Sequence, residues 1–124
     1  MYKICYDGDV VVRYDGIAGA HKALRAFRNE SLRPELIKLY DNDEELELDA
    51  VYCLGKKFIL LEDAEITNVG IGECRFEAQA FDEDGRRVIV AWEIDNPDAD
   101  YEWDCVNDWS VAQDYYDADN QLHF

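Results

Sequence analysis

The sequence predicts a single α+β domain, residues 1–124, with an antiparallel twisted sheet of about five to seven strands packed on one main helix. Three observations carry this expectation. Residues 17–30 repeat their apolar side chains at helical spacing. Much of the remainder alternates apolar and polar residues with a period of two. Paired apolar runs flank short Asp/Gly segments suited to hairpin turns. A chain of 124 residues is one domain by length, and about two-thirds of the unfolded surface is buried at this size.

The elements follow in order. Strands are expected near 2–6 and 9–14, where apolar and β-branched residues flank Asp7-Gly8. Residues 17–30 form the helix, with Ile17, Ala20, Leu24 and Phe27 as its apolar stripe and Asp15 as its N-cap. Lys22, Arg25 and Arg28 wind along one flank, where they are expected to pair with the chain's own acids or stay solvated. Ser31 to Pro34 ends the helix, because α geometry is disfavoured before proline.

Residues 34–54 leave two readings open. Residues 34–40 suit a short helix with Pro34 in its first turn, or a strand. Glu45, Glu47 and Asp49 alternate with Leu46, Leu48 and Ala50, which favours a half-buried strand. Leu46, Ala50 and Leu54 also fit a helix ended by Gly55. Beyond Gly55 the pattern is sheet. It places a short strand at 57–61, a weaker one at 64–69, a turn around Gly70 and Gly72, and a long hairpin of 74–81 and 86–94 through 82–85. In 98–105 the period of two is strict. An amphipathic strand is expected, with Asp98, Asp100, Glu102 and Asp104 in water and Ala99, Tyr101, Trp103 and Cys105 on the core. Residues 107–124 hold a further strand and a frayed end. The expected core includes Ile4, Val10, Val12, Leu24, Phe27, Phe76, Val88, Val90 and Trp92.

Charge is the main functional signal. The net charge is −17, well beyond the magnitude of about 2 to 8 usual for a small domain. It disfavours direct contact with nucleic acid or an anionic membrane and favours a basic partner. Residues 1–40 carry seven basic and five acidic groups, whereas residues 41–124 carry five basic and twenty-four acidic. Residues 93–119 hold ten acids, no Lys or Arg, and the aromatics Tyr101, Trp103, Trp109, Tyr115 and Tyr116. Disordered acidic tails are poor in aromatics, so this stretch is expected to fold.

Carboxylates at alternate positions of a strand lie about 6.6 Å apart, close to twice the ~3.4 Å advance per nucleotide of a DNA strand. On that spacing Asp98, Asp100, Glu102 and Asp104 form a phosphate-like row, with Asp108 beside it and Glu45, Glu47 and Asp49 as a second row. Tyr101 and Trp109 are candidate anchors, since aromatic residues dominate interface hot spots. Two plainer readings compete. Acids keep an edge strand soluble, and salt adaptation spreads acids over a whole surface. The near-neutral first forty residues do not follow the second.

Other chemistry finds little footing, and no catalytic residue, cofactor or metal site is expected. A calcium loop started at Asp98 would need Gly and Glu where Trp103 and Trp109 stand. His21 and His123 have no nucleophile or acid at a triad spacing. Cys5, Cys53, Cys74 and Cys105 form no C-x-x-C pair and are expected as reduced core residues of a cytoplasmic protein. The first residues lack an apolar signal core, and no run of about 20 apolar residues exists to span a membrane.

In size, in charge and in the acidity of residues 41–119, the chain resembles the phage and mobile-element inhibitors of bacterial defence, the anti-restriction and anti-CRISPR proteins that mimic DNA. These share composition rather than a fold or a motif. The resemblance implies a stoichiometric, non-enzymatic inhibitor in the host cytoplasm. Its partner would be a basic nucleic-acid-binding complex, whose channel it blocks. A different class remains open: an immunity-type or accessory protein that neutralises a basic effector by contacts unrelated to DNA.

Overall fold

The computed structural model describes residues 1–68 and 74–117. The expected turn at Gly70 and Gly72 and the end of the chain, with His123, lie outside them.

Strand β1 (Tyr2–Tyr6) and β2 (Asp9–Tyr14) form the expected hairpin. Asp7 and Gly8 turn it with φ of 50° and 89°, the left-handed pair that a two-residue turn needs to match strand twist. The register slips by one residue along β2, so that Ile4 faces Val12 while Cys5 faces Val10. This bulge breaks the alternation that would carry Val10 to the core. Val10 is exposed instead, and Val12 is partly buried.

Helix α1 spans Ile17–Glu30 as expected, but its N-cap is Gly16, with no side-chain hydrogen bond from Asp15. Its buried line is Ala20, Leu24 and Arg28, a straight four-residue repeat. Ile17, expected on the apolar stripe, and Phe27, expected in the core, flank that line and are exposed. The helix rests on a sheet of four strands and meets it along one narrow seam.

Both readings of 34–40 hold in part, and the helix reading of 46–54 is corrected to strand. Pro34–Leu36 form a 3-10 turn that leads into β3 (Ile37–Asp41) and β4 (Glu44–Leu46). After β4 the chain crosses to the second sheet at Asp49, whose φ is 69°. Strand β5 (Ala50–Cys53) turns through Leu54 and Gly55, both at positive φ, into β6 (Lys56–Leu60). Gly55 thus closes a hairpin rather than a helix. Strands β7 (Glu65–Asn68), β8 (Cys74–Phe81), β9 (Arg87–Glu93) and β10 (Asp114–Asp117) complete the described elements.

The α+β class and the antiparallel pairing stand. The single sheet is corrected to two, of four strands in the order β2-β1-β3-β4 and of six in the order β10-β9-β8-β6-β5, with β7 also paired to β8. The alternating pattern runs unbroken through residues 45–50, so it carries no sign of the crossing. Each sheet has its own core. Ile4, Ala20, Leu24, Ile37 and Leu39 pack between α1 and the first. Phe58, Phe76, Val88, Val90 and Trp92 lead the second.

The second sheet curls until its ends nearly meet. The Tyr52 backbone N–H donates to Ser110 O, and the Ala112 N–H donates to Tyr52 O. These bonds tie β5 to the segment that enters β10, and the Phe58 and Tyr115 rings meet at 4.9 Å across the interior. Closure of this kind removes an edge that another chain could pair with. The two halves are joined at the helix end, where the Arg87 guanidinium donates to Asn29 O at 2.6 Å, a cation against the negative end of the helix dipole.

Residues 98–105 form no strand, which corrects the strongest functional expectation. Strand β9 is paired on both sides, with β8 and with β10, so it offers this segment no edge. Glu102–Asp104 form a 3-10 turn within a long connection between β9 and β10. Among the described residues no helix is long and apolar enough to cross a membrane.

Candidate partner-binding surface

The connection from 94 to 113 is too long to be a simple link; ordered loops of this length usually carry a function. It is held by its own hydrogen bonds. The N–H groups of Asp95 and Asn96 both donate to Cys105 O. The Asn96 amide donates to Asp104 O at 2.9 Å and to Asn107 Oδ1 at 2.8 Å. The Asn107 N–H donates back to Asp95 Oδ2 at 3.0 Å. Asn96 therefore sits at the crossing point of the loop, a role suited to a short amide with donor and acceptor.

Aromatic side chains fasten the loop to the second sheet. Buried Trp92 donates its indole N–H to Trp109 O, and Trp109 donates its own to Trp103 O. The Trp109 ring packs edge-on to Phe76 at 5.0 Å and against Trp92 at 5.5 Å. Val106 and Ala112 complete the contact with the core. Trp109 is thus a structural anchor with partial exposure. Tyr101 and Trp103, read from the alternation as core residues, are 56% and 65% exposed. Their rings stack on one another at 4.4 Å and 8°, a flat aromatic surface facing solvent.

Asp98, Asp100, Glu102 and Asp104 neighbour this pair along the chain, and all four are exposed. With no strand beneath them they do not form a row at strand spacing, so the match to alternate phosphates is lost. They do remain together on one loop, and none has an ion-pair partner among the described residues. Asp108 accepts from the hydroxyl and the backbone N–H of Ser110, and these bonds hold its carboxyl below the usual range.

The second acidic row is not assembled. Glu45 pairs with Lys38 at 3.6 Å, and Glu47 pairs with Lys57. Asp49 is withdrawn from the surface altogether, with a side chain only 7% exposed. It accepts from Arg25 Nε at 3.1 Å and Arg25 Nη2 at 2.8 Å, and Asp49 Oδ2 meets His21 Nε2 at 2.7 Å. Burial alone would raise its pKa; the bonds from Arg25 and His21 outweigh burial and hold the carboxyl below the usual range. Arg25 also donates to Asp63 at 2.6 Å. This network links α1 to the crossing between the sheets.

Arg28 departs from both expected states. It is buried, and it pairs with no acid among the described residues. Its Nε and Nη2 donate to Ile37 O, and its guanidinium lies 5.5 Å from the Phe81 ring. Burial pushes its pKa down to about 10.

Cys5 and Cys53 are buried free thiols and Cys105 is half-buried; the side chain of Cys74 lies outside the description. Among the described residues no group of three His, Cys, Asp or Glu side chains is placed to share a metal ion.

Two open clefts meet at Trp103. One, about 500 Å³, runs beside Asn96, Asp100, Tyr101 and Asn107. The other, about 340 Å³, is floored by Leu60, Phe76, Trp92 and Trp109, with Asp63 and Glu102 contributing carboxylates. Trp103 is the residue that pattern reading missed. Asn96-Pro97, a turn signal just before the alternation, was the one indication that the segment leaves the sheet. Comparison with family models, curated proteins and solved structures returns no match for this chain.

Proposed function

We propose that the chain is a non-enzymatic inhibitor that presents the 95–108 loop to a basic, nucleic-acid-binding partner, such as a bacterial CRISPR or restriction complex, and blocks its nucleic-acid channel. One observation carries this reading. Four carboxylates without a cationic partner among the described residues share an ordered loop with an exposed, stacked aromatic pair. Four like charges within seven residues repel one another, and an array of Lys and Arg relieves that repulsion while releasing its own counterions. The net charge of −17 steers such an encounter from a distance.

A second reading is favoured by a different observation. The carboxylates lack strand spacing and the aromatic pair offers shape. Both features suit an immunity-type protein that neutralises a basic effector without imitating DNA. The experiment that separates them is capture of partners from bacterial lysate by the tagged chain, with parallel elution by salt and by duplex DNA. A nucleic-acid-binding complex released by both, and lost with the triple variant Asp98→Lys, Asp100→Lys, Asp104→Lys, is the expected result. A partner held through salt and DNA, or captured equally by the folded triple variant, overturns the mimic reading.

A further inference from the structure

The geometry points to arginine, rather than lysine, as the partner residue received by the cleft beside Trp103. This inference rests on the reading of the 95–108 loop as the binding surface. The cleft is apolar along its floor, where Leu60, Phe76, Trp92 and Trp109 line it. Its exposed members are Trp103, Glu102 and Asp63. An arginine side chain matches these parts one by one. Its three methylenes cover an apolar floor, its planar guanidinium stacks on an aromatic face, and its fork of N–H donors reaches carboxylates. Asp63 already accepts from Arg25 through Oδ1, so Glu102, unpaired among the described residues, is the carboxylate free to receive it.

Charge excludes an anionic occupant, and shape and hydrogen bonding favour arginine over the rest. An anionic side chain meets a loop dense in carboxylates. A purely aliphatic one fills the floor and leaves Glu102 without a partner. Lysine carries the same charge, but its ammonium is compact and strongly hydrated and has no plane to lay on a ring. Trp103 stacks on Tyr101 and also lines this cleft, and a planar guanidinium makes a larger contact with an aromatic ring than an ammonium does. Lysine also makes a cation–π and a carboxylate contact, so the difference rests on planarity and the donor fork, and a preference of about fivefold for arginine is expected.

The test uses two synthetic peptides of equal length and charge, one with arginines and one with lysines spaced by glycine, titrated into the full chain at low ionic strength with tryptophan emission and calorimetry as readouts. The expected result is about fivefold tighter binding of the arginine peptide, a change in tryptophan emission with that peptide, and loss of the preference in Trp103→Ala with recovery in Trp103→Phe. Equal affinity of the two peptides in the wild-type chain, or a preference that survives in folded Trp103→Ala, overturns the inference and leaves the acidic-surface reading intact. Failure of both peptides to bind overturns both.

Discussion

Asp49→Asn is the sharpest test of how the two halves of the molecule are joined. The substitution keeps the shape of the side chain and tolerates the left-handed backbone at this position, φ 69°. It therefore isolates the charge. In the wild-type chain the carboxylate accepts two bonds from Arg25 and contacts His21, with its side chain 7% exposed. Removing one partner of a fully buried ion pair costs roughly 3–5 kcal/mol. The cost here is smaller, because the Arg25 and His21 side chains are 20% and 35% exposed and Arg25 keeps Asp63. A loss of about 2 kcal/mol is expected, from a discounted buried pair and a retained amide acceptor. Urea denaturation at pH 7 measures it, with an unchanged m-value showing that the denatured state is the same. Arg25→Ala in the same cycle should couple to Asp49→Asn by at least about 1 kcal/mol. Additive single and double variants, or a loss under about 0.5 kcal/mol, would refute the claim that this pair locks α1 to the crossing.

Acid titration gives a second check. The Asp49 pKa is lower in the folded chain than in the unfolded one, so its contribution is present above the ordinary value near 4 and fades as the pH falls through the folded value. The stability gap between wild type and Asp49→Asn should therefore narrow below about pH 4, and a gap constant down to pH 2 would count against the assignment. Trp92→Phe should cost about 2 kcal/mol, since it shrinks a fully buried side chain and removes the indole N–H given to Trp109 O. It should also raise amide exchange through 95–108, and a loop as protected as in the wild type would deny Trp92 its anchoring role.

The local elements were legible because each rests on nearest-neighbour physics. Asp7-Gly8 encodes its own turn, and the 74–81 and 86–94 hairpin is written in alternation on both strands. What pattern could not convey is which element lies beside which. Val10 shares its alternation with Val12, and only a bulge separates them. Phe27 sits on the same apolar stripe as Leu24, yet the helix buries the line Ala20, Leu24 and Arg28 and leaves Phe27 exposed. The crossing at Asp49 lies inside an unbroken period-two run, because a strand that changes sheets keeps alternating on either side.

The candidate surface was legible in composition and illegible in geometry. A period of two describes a strand only if an edge is available, and β9 has none left. Released from the sheet, 98–105 turns its aromatics outward instead of inward, and Asn96, Trp92 and Trp109 fix the loop in that state. The acids then lose the regular spacing of a phosphate row but gain rings between them. A row of evenly spaced charges reads a partner's charge alone. Charges beside a stacked Tyr–Trp pair would also read the shape of the cation that neutralises them, because a planar guanidinium can lie on an aromatic face and a compact ammonium cannot. An inhibitor built this way would draw most of its association rate from the net charge and most of its residence time from Tyr101 and Trp103. Salt would then slow association strongly, while Trp103→Ala would act mainly on dissociation.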